Sequence, residues 1–164
     1  MAQATPPREH LFEVLRDFDH AMLVTRSLDG HIHARPMAVA ELEADADAYF
    51  VTAIDSPKVA EIEADPRATL TFQGPKRFAT LCGTVHVVRD RALLDRLWKD
   101  AWKVWFPRGK DDPEISLLKF DAEHGELWDN AGAEGIKYGL EAIKAYAKGE
   151  RISTEGTGHE RVDL

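Results

Sequence analysis

The stretch Ala21-Met22-Leu23-Val24-Thr25-Arg26-Ser27-Leu28-Asp29-Gly30-His31-Ile32-His33-Ala34-Arg35-Pro36-Met37-Ala38-Val39-Ala40-Glu41 decides the fold. Residues 21–25 form a short apolar run of the kind a buried strand uses. Residues 31–41 alternate, with Ile32, Ala34, Pro36, Ala38 and Ala40 set against His33, Arg35, Met37, Val39 and Glu41. A period of two marks a strand, because successive side chains leave opposite faces of a pleated backbone. Asp29-Gly30 stands between the two runs. Asp-Gly between strand-like runs is a strong hairpin signal, since a tight turn needs residues that tolerate positive φ. Pro36 has no N–H for a ladder, so the second strand needs an edge or a bulge there.

Working outward, Glu9 to Phe18 carries Leu11, Phe12, Val14, Leu15 and Phe18 at helical spacing. Ala44-Asp45-Ala46-Asp47 reads as a turn and Ala48 to Thr52 as a strand. Ser56-Pro57-Lys58 opens a short helix, with Ser56 as N-cap, Pro57 at the first helical position and Val59, Ala60 and Ile62 facing inward. Asp65-Pro66 ends it. Arg67 to Phe72 and Phe78 to Arg89 are strands, and Gly83 inside the second marks a bulge or a close backbone approach. Asp90 to about Trp105 reads as one helix, Ile115 to Phe120 and Glu126 to Asp129 as two final strands, and Glu134 to Lys148 as an amphipathic helix. About six strands, mostly hairpin partners, with helices between and at the ends, make an α+β or mainly β domain of barrel type. The domain is expected over residues 8–148, with 149–164 a polar, mobile tail.

The chain has 164 residues, and 21 Lys plus Arg against 29 Asp plus Glu leave a formal net charge of −8. One globular domain fits that length. The acidic balance argues against a nucleic-acid binder, which needs a basic surface. Cys82 is the only cysteine, which rules out an internal disulfide and a Cys-rich zinc site. Its apolar neighbours Phe78-Ala79-Thr80-Leu81 predict a buried, inert thiol. Met1 to Arg8 lacks the apolar run of a signal peptide, and nothing approaches the ~18 apolar residues of a membrane span. A cytoplasmic protein with no membrane partner is expected.

Hydrolase elbows, Walker loops, dinucleotide fingerprints and paired zinc histidines are all absent from the sequence. His31 and His33 share a strand face, but no companion motif supplies a third ligand, so no metal is expected. The chemistry-bearing set is Arg35, Thr52, Ser56 and Lys58. Arg35 lies on one strand, Thr52 ends the next, and Ser56 and Lys58 begin a helix directly afterwards. A helix N-terminus offers free N–H groups and partial positive charge to an anion, and Lys and Arg add charge-assisted bonds. The same residues also describe a capped surface helix with solvated cations.

Arg35-Pro36-Met37, Tyr49-Phe50-Val51-Thr52, Ser56-Pro57-Lys58-Val59 and Asp65-Pro66-Arg67-Ala68-Thr69-Leu70-Thr71-Phe72 together resemble the pyridoxamine 5′-phosphate oxidase-like superfamily, in its general stress protein branch of FMN-binding split barrels. Gly83-Thr84-Val85, Trp105-Phe106-Pro107-Arg108-Gly109, Asp112-Pro113 and Leu127-Trp128-Asp129 continue the pattern, which spans roughly residues 10–130. The resemblance implies a six-stranded antiparallel split barrel with flanking helices, acting as a homodimer with flavin (FMN or FAD) in clefts at the subunit interface. It implies that Arg35 and Lys58 contact the phosphate with help from Ser56. Pro36, Met37 and Ala38 would lie along the flavin ring, and Val51 and Thr52 would meet the ring and ribityl chain. Trp128 corresponds to an aromatic brought to the flavin by the partner subunit, and reads equally well as a core residue under the last helix.

The pattern also departs from the true oxidase. Pro57 stands where the oxidase has an arginine, Phe78 lies near the position of a glutamine, and residues 134–164 show no counterpart of the segment that grips pyridoxal phosphate. The resemblance therefore implies a flavin-binding stress or redox protein, if an enzyme a flavin-dependent oxidoreductase, rather than a pyridoxamine phosphate oxidase. A deazaflavin- or haem-dependent relative and a non-catalytic flavin sensor are the alternatives. Trp98, Trp102, Trp105 and Phe106 form an aromatic run that packs on the barrel, in a dimer interface or against a flavin.

Overall fold

The computed structural model of the chain describes residues 6–149 and 158–164. Six antiparallel strands close a ring: β1 (His20–Arg26), β2 (Ile32–Leu42), β3 (Ala48–Ala53), β4 (Arg67–Gln73), β5 (Arg77–Val88) and β6 (Ile115–Asp129). Their spatial order is β3-β2-β1-β4-β5-β6, and β6 returns to β3. The Asp29-Gly30 hairpin forms as expected, with β1 and β2 paired from Arg26–Ile32 outward and Gly30 at φ +89°. Alternation on β1 and β4 turns every second residue inward. Phe50, Phe72, Phe120, Leu23, Leu70, Leu81, Leu118 and Leu127 fill the interior, each fully buried. Each such side chain is worth about 1.5–3 kcal/mol when withdrawn from water.

Helices α1 (Pro7–Leu15) and α2 (Pro57–Ala64) cover the barrel, and α4 (Gly132–Lys148) follows β6. α1 sends Leu11, Val14 and Leu15 into the core. α3 (Arg91–Leu97) and the 3-10 turn Asp100–Val104 bury Leu94, Leu97 and Trp102 in a second apolar cluster against Ile115 and Leu117.

Several expectations need correction. The segment 90–105 is two elements, because Trp98 ends α3 in an extended conformation (φ −53°, ψ 133°). The two final strands are one continuous 15-residue strand, β6. Between its apolar ends Glu123 and His124 are both exposed opposite the register shift on β5, so loss of hydrophobicity there marked exposure rather than a turn. Within the expected tail, residues 150–157 lie outside the described residues, but His159–Asp163 form a seventh strand, β7, on β6. The first half of β6 therefore closes the barrel on β3, while its second half carries β7. Gly83 sits at a register shift between β5 and β6, as its position implied. Cys82 is exposed rather than buried, since Leu81 and Gly83 take the inward positions on either side of it.

Candidate functional site

The β2–β3 ladder stops early, and the gap it leaves is the candidate site. Val39 pairs with Phe50, but Ala38, Met37 and Pro36 do not go on to pair with Val51, Thr52 and Ala53. Pro36 cannot donate a ladder bond, and a register irregularity at Val39/Glu41 turns the strand away. On its other edge β3 continues pairing with β6, from Val51–Leu117 to Ala53–Ile115. The parted edges line a cavity of about 250 Å³ made by Pro36, Met37, Ala38, Val51, Thr52, Ala53, Lys58, Trp102, Trp105 and Phe106. Trp102 is buried, and Trp105 stands 61% exposed at the edge of the cavity.

One end of the cavity is polar and cationic. Lys58 Nζ donates to Thr52 Oγ1 at 3.2 Å, and Thr52 Oγ1 lies 3.1 Å from Ser56 Oγ. Ser56 occupies the N-cap position of α2, but its hydroxyl makes no capping bond. The expected cap is replaced by the contact with Thr52. Burial, and then the nearby Arg35 charge, push the Lys58 ammonium below its usual pKa.

Arg35 points the other way. Its Nη2 donates to Glu61 Oε2 at 2.7 Å, and its Nη1 donates to Thr25 Oγ1 and, at 3.5 Å, to the Leu23 carbonyl. Glu61 Oε2 also accepts from Thr25 Oγ1 at 2.7 Å, and His33 Nδ1 lies 2.8 Å from Oε1. Glu61 is only 5% exposed. Burial alone would raise its pKa, yet the bonds from Thr25, His33 and Arg35 hold the carboxyl below its usual range. The inner face of α2 is thus Val59, Glu61 and Ile62, while Ala60, expected inside, is exposed.

Six of the nine expected contact residues meet at the cavity: Pro36, Met37, Ala38, Val51, Thr52 and Lys58. Ser56 touches it through Thr52, and Arg35 lies behind it on Glu61. Trp128 is elsewhere. It pairs with Phe78 and His159 near the end of β6, twelve residues beyond the Ser116 partner of Thr52, or about 40 Å of strand. His31 and His33 face different carboxylates, Asp29 at 3.1 Å and Glu61 at 2.8 Å respectively.

Sequence reasoning missed Glu61 and left Trp102, Trp105 and Phe106 open between barrel packing, a dimer interface and the flavin, and the structure puts them on this cavity. The aromatic run was visible, but the break at Trp98 that swings it over β2 and β3 was not. Glu61 gave one weak signal: a carboxylate next to Ile62, at a helix position that turns inward.

A closed six-stranded antiparallel barrel, with a cleft where one ladder opens beside a strand-to-helix turn, is the split-barrel architecture. The pyridoxamine 5′-phosphate oxidase-like family model matches residues 7–153, and the chain belongs to that family, in its general stress protein branch. A Jannaschia sp. CCS1 structure assigned to general stress protein 26 is 27% identical, with 94% of this chain and 97% of that one covered and a TM-score of 0.70. The general stress FMN/FAD binding protein of Xanthomonas citri is 30% identical, with 77% and 90% covered and a TM-score of 0.64. The bli-3 protein of Neurospora crassa is 27% identical over 111 residues, 60% of this chain and 53% of that protein. The chain therefore spans about half the length of that curated relative. No helix among the described residues is long and apolar enough to cross a membrane.

Proposed function

We propose that the protein is a cytoplasmic, homodimeric flavin-binding stress protein that takes FMN or FAD into the cavity between β2 and β3, with a redox role other than pyridoxamine phosphate oxidation. The observation that carries this reading is the amphiphilic lining of that cavity. Lys58, Thr52 and Ser56 gather donors at one end, while Met37, Val51, Trp102 and Phe106 supply apolar and aromatic walls. That donor set fits a ligand with a flat, largely apolar ring and an anionic tail. The Xanthomonas citri relative is itself named an FMN/FAD binding protein.

A bound flavin supplies reversible electron transfer, and the protein supplies binding and electrostatics. Lys58 would neutralise phosphate charge, and its depressed pKa reflects burial and then the nearby Arg35 charge. Thr52 and Ser56 hydroxyls would donate to phosphate or ribityl oxygens. The strand edge at Pro36, Met37 and Ala38 would lie along the ring, and the apolar walls would exclude water from it. The 61% exposed Trp105 at the edge of the cavity, with the 74% exposed Val104 next to it in sequence, favours a second copy that covers it. Trp128 would then reach a flavin only on the partner's side of such an interface.

Absorbance of the purified protein and fluorescence titration with FMN test the reading. A flavin spectrum, or saturable quenching of added FMN by a dimer in light scattering, is the expected result. A Soret band would mark haem instead, and a colourless protein that leaves FMN emission unquenched would sink the proposal.

A further inference from the structure

Glu61 is a buried carboxylate that the flavin reading leaves unused, and it holds the cation that a ligand phosphate would seek. Its two oxygens are engaged by Thr25, Arg35 and His33 at 2.7, 2.7 and 2.8 Å. Arg35 is fixed in return, with Nη1 held by Thr25 Oγ1 and the Leu23 carbonyl. Lys58 differs. Its ammonium lines the cavity, bonds the Thr52 hydroxyl, and forms no ion pair with a carboxylate among the described residues. Two cations thus stand close enough for the Arg35 charge to lower the Lys58 pKa, but only Arg35 is held by Glu61 in a direct ion pair, while the Glu61 charge reaches Lys58 at longer range.

We infer that Glu61 is a built-in counter-ion that competes with the ligand's phosphate for Arg35, so that Lys58 carries the phosphate-dependent part of flavin binding. This rests on the flavin reading of the cavity. The physical reason is the asymmetry of buried ion pairs. A phosphate that took Arg35 from Glu61 would leave a desolvated carboxylate without its strongest partner, a cost that offsets the new bond. The phosphate gains a single full positive charge, and selectivity falls to the ring-binding walls. The site therefore discriminates only modestly between phosphorylated and unphosphorylated flavin. Glu61 is the specificity-determining residue that keeps it so.

The test is to measure dissociation constants for FMN and for riboflavin with the full chain, as wild type, Glu61→Gln and Lys58→Met. Releasing Arg35 in Glu61→Gln should raise the preference for FMN over riboflavin about tenfold or more, the size of one added charge-assisted bond. In Lys58→Met the preference should fall to within about twofold of none, since no other cation is among the residues lining the cavity. An unchanged preference in Glu61→Gln, or one that survives in Lys58→Met, overturns the inference and leaves the flavin reading standing. A wild type that binds neither flavin removes both. If Glu61→Gln does not fold, the Lys58→Met comparison decides alone.

Discussion

Trp128 on β6 and His159 on β7 lie face to face, with ring centroids 4.9 Å apart and planes 5° from parallel. His159 Nε2 also lies 3.2 Å from Glu126 Oε2 on the neighbouring strand. Three residues further on, Val162 is buried in the main core and Leu164 packs against it. β7 is thus a structural part of the barrel. Removing residues 159–164 should cost about 2–4 kcal/mol, from one buried valine, one partly buried leucine and the lost ladder. Thermal denaturation of the truncated chain should show a clearly lowered Tm, and an unchanged Tm would show that β7 adds nothing.

Gly83 tests the β5–β6 seam. A Cβ at this position would enter the contact radius of the Asp121 carbonyl, which is backbone and cannot step aside. The register shift between Cys82 and Gly83 is what brings the strands this close. Gly83→Ala should destabilise the fold by about 1–3 kcal/mol or more, the cost of overpacking. Gly139, where a Cβ meets nothing within 4 Å, is the control. Gly139→Ala should be neutral or slightly stabilising in the same urea titration, because alanine favours a helix interior.

Acid should unfold the protein through particular carboxylates. The folded Glu61 carboxyl is held below its usual 4.5, burial being outweighed by bonds from Thr25, His33 and Arg35. Asp129 is held below 3.8, burial again being outweighed by the Ala131 N–H, His10 and Arg77. A lowered folded pKa contributes stability above the unfolded value, and that contribution disappears as pH falls through the folded one. Tm should therefore stay flat from neutral pH down to about 5 and fall below it. Glu61→Gln should be less stable by about 1.5–3 kcal/mol at pH 7, with a shallower acid slope. A variant with the wild-type slope would show that Glu61 does not drive the transition.

The depressed Lys58 pKa bears on ligand binding, where the sign reverses because a bound phosphate would raise it. Burial and Arg35 disfavour its charged form in the free protein. A phosphate placed beside it restores that charge, so FMN binding takes up protons wherever free Lys58 is partly neutral. FMN affinity should fall as pH rises through the lowered Lys58 pKa, while riboflavin affinity stays level. The same titration with Lys58→Met should lose the pH dependence. A riboflavin curve that bends like the FMN curve would assign the effect to another group.

Local chemistry alone settled a good deal. The Asp29-Gly30 turn, the alternation after it, the Ser56-Pro57 helix start and the Gly83 bulge are short-range signals, each legible within a few residues. They were enough for about six strands, mostly hairpin partners, with the last strand read as two pieces, and with the family resemblance for Pro36, Met37, Ala38, Val51, Thr52 and Lys58 at one site. Three features depended on contacts between distant segments. β6 runs unbroken because β5 supports it from Leu117 to Asp129, although its middle is polar. β7 pairs because the far half of β6 offers a free edge. Arg35 meets Glu61, 26 residues away, because α2 packs across the barrel and turns that carboxylate inward. Periodicity reports which way a side chain faces within its own element. It carries no information on which charge from another element will stand there, and that partner decides whether a cation is free to bind an anion or is already neutralised.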